Sequence, residues 1–333
     1  MDVNSTTKLC PCLKISHNDD SRNFVFTADI ICVIINAFLS IPSMILNLLL
    51  ILSIIKTPSL RKPSFILICC LAVTDFGVGL LIQPLFIARK IAFLYSNVEV
   101  YCSLLKAGNV LSHIVCSPSF FVVTAISIDR YFAIRLQTRY KQVITNRRVY
   151  KFLIGCLMGA CLVTTARFHA TRPEHMGYAA ALMFILLVVI VCCYIKSLNK
   201  LKAHHVHIHN LHTPSQRIIQ TILHKKTLKT LLIITSVLFI CYIPFVTVVI
   251  VISKFGRNRS LTIAWEGTVT LVYVYSFLNP VVHLCRCKQI RQACVALMRR
   301  NKVGVAMLEP SVLSFQSTLE KYRWKKNVKK SEN

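Results

Sequence analysis

Long apolar stretches alternate with short polar ones along this chain. The apolar runs are 28–55, 64–88, 107–128, 152–166, 176–195, 231–253 and 261–284. Crossing a bilayer takes about 20 mostly apolar residues, fewer where the ends snorkel. Each run therefore predicts one membrane-spanning helix, seven in all. The fourth is short and bracketed by Lys151 and Arg167. Residues 1–27 are polar and lack a basic region followed by an apolar core, so the first span is expected to serve as the targeting signal. The expected fold is all-α: an integral membrane bundle of seven transmembrane helices (28–284) behind an extracellular segment (1–27). A short amphipathic helix on the inner membrane surface (285–300) and a basic cytoplasmic tail (301–333) follow it.

Composition agrees with a membrane chain. Of 333 residues, 55% are hydrophobic and 16% charged, too apolar for a soluble domain. The net charge of +28 does not point to nucleic acid, because the basic residues crowd alternate loops. Arg61 and Lys62 stand after the first span, Arg135, Arg139, Lys141, Arg147 and Arg148 after the third, and Lys196 to Lys226 after the fifth. The opposite loops mix signs, with Arg89, Lys90 and Glu99 in one and Arg172 and Glu174 in another. Basic excess marks the cytoplasmic side, which puts the N-terminus outside and the C-terminus inside. Sequons at Asn4 and Asn258 fall on the side so assigned as external and are candidate glycosylation sites. Of fifteen cysteines, only Cys10, Cys12 and Cys102 are expected to face an oxidising exterior, with their pairing open.

Within the spans the polar residues carry the chemistry. Asn47 is an interhelical amide. Asp75 lies deep in hydrocarbon, where an acid marks an ion site or polar network; a neutral, protonated carboxyl is the alternative. Asp129-Arg130-Tyr131 closes the third span at the water boundary. Pro244 and Pro280 break the sixth and seventh spans and give each a place to bend. Residues 196–229 are expected to be a polar loop whose histidines, His204 to His212, are solvated rather than metal-bound. Cys285, Cys287 and Cys294 stand where reversible palmitoylation is plausible, with unmodified thiols the alternative.

Taken together, Asn47, Leu71-Ala72-x-x-Asp75, Asp129-Arg130-Tyr131, Cys241-Tyr242-Ile243-Pro244 and Asn279-Pro280-x-x-His283 resemble the markers of a rhodopsin-like (class A) G-protein-coupled receptor over residues 44–298. Within that class, residues 130–145 resemble adenosine and melanocortin receptors. The short loop after the fourth span and the fifth span without proline resemble melanocortin, lysophospholipid and cannabinoid receptors. The resemblance implies a cell-surface receptor that binds an extracellular ligand and activates a heterotrimeric G protein, with arrestin, a receptor kinase and membrane lipids as further partners. It implies an activation switch of Asp129, Arg130, Tyr131, Tyr242, Pro244, Asn279, Pro280 and His283. It also implies a polar network of Asn47, Asp75, Ser119 and Asn279 that could hold sodium, although Tyr275 stands where a second Asn is common. No other cofactor and no metal is expected. The ligand-facing positions are Ser112, His113, Cys116, Tyr242, Val249, Glu266, Val269 and Tyr273, and ordinary helix packing explains each of them equally well.

The departures from the pattern are specific. The family usually has Trp at Leu157 and Tyr242, Tyr at His283, and an acid at His224, whose loss implies raised basal activity. Its outer disulfide has no partner in 167–175, leaving Cys10 or Cys12 open to Cys102. Ser112 in place of an acid argues against an amine ligand, and Tyr273 in place of a lysine argues against retinal. Three rivals remain. A receptor-like binder without coupling is favoured by Tyr242 and His283. A transporter would want several intramembrane charges, where the spans offer chiefly Asp75. An enzyme is not expected, because no phosphate loop, zinc motif or nucleophile elbow is present.

Overall fold

A computed structural model describes residues 22–136, 139–169, 172–211, 214–256 and 258–298. Asn4, Cys10 and Cys12 lie outside them. The described chain contains helices and no strands: α1 (Arg22–Lys56), α2 (Pro63–Leu94), α3 (Val98–Leu136), α4 (Asn146–His169), α5 (Arg172–Leu211), α6 (Pro214–Phe255), α7 (Arg259–Arg286) and α8 (Lys288–Met298). Six are long and apolar enough to cross a membrane, namely α1, α2, α3, α5, α6 and α7. The remaining long helix, α4, has 24 residues, ample at about 1.5 Å each, but opens on Asn146, Arg147 and Arg148.

Two boundaries differ most from the hydropathy reading. The expected loop 196–229 is largely helical, because α5 runs to Leu211 and α6 begins at Pro214. Backbone hydrogen bonds inside a helix need no lipid, so helices continue past the point where apolar side chains stop. The side chains of His204 to His212 and of His224 lie outside the described residues.

Packing follows chain order, with α7 closing the bundle against α1 and α6, and α3 touching α2, α4 and α5. The main core joins Leu50, Leu71, Phe120, Val123, Ile190, Leu238, Tyr242 and Tyr275 across the inner and middle bundle. A second, outer cluster joins Cys32, Val78, Ile82, Phe86 and Tyr273, with Val115, Cys116 and Val269 against it.

On α1 the buried positions Asp29, Cys32, Asn36, Ser40, Ser43, Asn47 and Leu50 recur every three or four residues, so a polar stripe faces its neighbours. Ser40 Oγ donates to the Gly79 carbonyl at 2.8 Å, and the Asn36 amide donates to Thr270 Oγ1 at 3.1 Å. The Gly79 carbonyl lies inside a π-helical turn, Val78–Ile82, that adds a residue to α2 just before Pro84. A Cβ on Gly79 would lie 3.1 Å from the Ser40 carbonyl oxygen and 3.2 Å from the Met44 nitrogen, so any larger residue here presses on the α1 backbone. α6 ends at Gly256, which takes the left-handed conformation with φ 77°.

Candidate functional site

The C-terminal end of α3 carries a cluster of polar side chains. Asp129 is buried, while the Arg130 side chain is 37% exposed. Asp129 Oδ2 accepts from Arg130 Nη2 at 2.7 Å and from Ser64 Oγ at 2.7 Å. Asp129 Oδ1 accepts from the Tyr140 hydroxyl, supplied by the one-turn helix Tyr140–Val143. Burial, followed by the hydrogen bond to Asp129, pushes the Tyr140 hydroxyl up to about 12, so it stays a proton donor at physiological pH. Sequence alone does not point to Ser64 and Tyr140, because their contact with Asp129 joins residues 65 and 11 positions away. Tyr131 turns away and accepts from Arg135 Nη1 at 3.1 Å.

One level deeper, Asn279 Nδ2 donates to Asp75 Oδ2 at 2.8 Å, and Asn47 Nδ2 donates to the Ser276 carbonyl at 3.1 Å. The structure thus brings Asp75 to Asn279 and ties Asn47 to the same helix. Ser119 is buried, but its hydroxyl turns to the Val115 carbonyl of its own helix at 3.4 Å. Sodium needs oxygen ligands: the Asp75 carboxylate and the unpartnered Asn47 Oδ1 offer them here, whereas Asn279 turns its amide nitrogen to Asp75 and Ser119 turns its hydroxyl to Val115. Asn279 and His283 line a small cavity with Ser127, Tyr275 and apolar side chains of α2, α3, α5 and α6. Tyr242 packs edge-on between Phe120 (centroids 4.8 Å) and Tyr275 (5.2 Å), and Pro244 follows within α6.

The outer half divides the expected ligand residues. Tyr273 of α7 packs edge-on against Phe86 at 5.9 Å, with Cys116 and Val269 beside it, and Ser112 lies near it on α3. Tyr242 belongs to the deeper aromatic stack, so it does not join them. Val249 is buried on α6, and His113 is half-buried on α3. Glu266 is buried and paired to Arg89 at 2.9 Å and to Lys90 at 3.4 Å. Arg89 and Lys90 therefore lie inside α2 rather than in a loop. Asp29, Arg89, Lys90 and Glu266 also correct the expectation that Asp75 is the chief charge in the spans.

Three cysteines near α8 differ sharply. Cys294 is buried against α1, accepting from Ser53 Oγ at 3.0 Å. Cys287 is half-buried against the main core, and Cys285 is exposed. Cys102 is disulfide-bonded, whereas every other described cysteine is free. Asn258 is exposed and caps α7, its Oδ1 accepting from the Leu261 nitrogen at 2.8 Å.

Comparison with known proteins accords with this geometry. The chain is 24% identical over 301 residues to the adenosine receptor A3 of Ovis aries, covering 80% of this chain and 87% of that one. The sequence pattern of the 7 transmembrane receptor (rhodopsin family) matches residues 46–177 and 172–283. With more than half of its length matched and the bundle assembled as described, this multi-pass membrane chain belongs to the rhodopsin family of seven-transmembrane receptors.

Proposed function

We propose that the chain resides in the plasma membrane with its N-terminus outside, binds an extracellular ligand, and activates a heterotrimeric G protein. The carrying observation is the half-exposed Arg130 held by a buried Asp129 that has two further donors of its own. A ligand shifts a two-state equilibrium only by its differential affinity for the states. Here the inner part of α6 swings about Pro244, the Tyr242 stack repacks, and Arg130 leaves Asp129 for the G protein. Ser64 and Tyr140 keep the Asp129 carboxylate hydrogen-bonded once Arg130 has gone.

Ser112, Cys116, Val269 and Tyr273 form the wall on which we place the ligand. α8 rests on the inner leaflet, and exposed Cys285, at the end of α7, is the acylation site beside it. Tyr242 and His283 favour a second reading, a receptor-fold binder that does not couple. The test is G-protein activation in cells, basal and with a ligand panel that includes adenosine. Wild type and Arg130→Ala are compared at matched surface expression. Signal lost with Arg130 supports coupling; a surface-resident protein silent throughout supports the binder.

A further inference from the structure

Four charged side chains that take no part in the coupling switch meet between the outer halves of α1, α2 and α7. Lys90 Nζ lies 2.7 Å from Asp29 Oδ1 and 3.4 Å from Glu266 Oε1. Arg89 Nη2 lies 2.9 Å from Glu266 Oε2. All four side chains are at most 13% exposed. Arg89 and Lys90 are consecutive, about 100° apart on the helix, so one faces Glu266 while the other reaches between Glu266 and Asp29. Both cations also stand over the Phe86 ring, 5.1 and 5.8 Å from its centre.

Among the described residues the two positive and two negative charges of the cluster sum to zero, and each acid has a cation in contact. A buried ion without a partner is costly, whereas removing a matched pair together is often tolerated. Removal of Asp29 with Lys90 leaves the Arg89–Glu266 pair; removal of Arg89 with Glu266 leaves Lys90–Asp29. Removing any one residue leaves an unbalanced charge. Below the cluster, the Asn36–Thr270 and Asn36–Gln83 bonds carry the same α1–α2–α7 contact inward.

We infer that this cluster is an ionic clasp that makes the outer halves of α1, α2 and α7 one body, held by charge balance with Lys90 as the shared counter-ion. The clasp belongs to the folded bundle whether or not the chain couples, so its test needs no signalling assay.

The full-length chain is solubilised from membranes in neutral detergent, heated briefly, and scored for the fraction that remains monodisperse. Asp29→Asn and Lys90→Gln each reduce the surviving fraction about tenfold. The pairs Asp29→Asn/Lys90→Gln and Arg89→Gln/Glu266→Gln stay within about twofold of wild type. Lys90→Ala regains survival in propylammonium chloride but not in propanol. Single variants that survive like wild type overturn the inference. So does a double variant no better than its worse single, or equal rescue by propanol. Should Lys90→Ala not fold at all, the double variants decide.

Discussion

Replacing Tyr140 by Phe tests how the inner end of α3 stores its resting state. The ring and its packing remain, and one hydroxyl leaves Asp129. Hydrogen bonds to charged groups are worth about 1.5–3 kcal/mol. Tyr140 is only part-buried, so water competes and about 1 kcal/mol is the better figure. In the resting state Asp129 has three donors: Arg130, Ser64 and Tyr140. With Arg130 withdrawn, two remain, and each matters more to the bare carboxylate. Loss of Tyr140 therefore disfavours the Arg130-released state, and about 1 kcal/mol of difference is about a fivefold fall in its population.

The assay is agonist-independent G-protein activation at matched surface expression, with Ser64→Ala expected to act in the same direction. The folded hydroxyl is raised to about 12. Its contribution is therefore complete below the ordinary tyrosine value near 10 and is lost only as pH rises through the folded value. The difference between wild type and variant must then stay flat from about pH 6 to about pH 9. A rise in basal signal in Tyr140→Phe would refute the argument, because it would make the hydroxyl a latch on the ion pair instead of a support for the carboxylate.

Other outcomes follow from single contacts. Gly79→Val drives a branched side chain into the α1 backbone and lowers stability by about 1–3 kcal/mol, read as an earlier loss of monodisperse receptor on heating. Asn258→Asp removes the sequon but keeps a cap on α7, whereas Asn258→Gln loses both. If the glycan is present, both lose its gel shift, and only the second loses about 1 kcal/mol of thermal stability. In metabolic labelling with a palmitate analogue, Cys285→Ser removes most of the label and Cys294→Ser leaves it, because the Cys294 thiol is shut against Ser53.

Hydropathy made the bundle legible because lipid imposes a long, uniform constraint on the side chains. It says less about helices that leave the lipid, which is why 196–229 reads as loop while α5 and α6 run through most of it. Motifs placed Asp129 and Arg130, yet their supports, Ser64 and Tyr140, come from neighbouring elements with nothing unusual in their local sequence.

The ionic cluster was partly visible. Asp29 and Glu266 fall within apolar runs, and on the first of these the polar residues Asp29, Asn36, Ser40, Ser43 and Asn47 keep a helical spacing. That period says one face of α1 is buried against polar partners, but it does not name them. Arg89 and Lys90 read as loop charges because each alone ends the apolar run of the second span. A charge at the end of a span can snorkel to water or turn inward to a counter-ion, and the same residue type serves both. Opposite charges supplied by two other helices decide between these, and that pairing exists only once α1, α2 and α7 have come together.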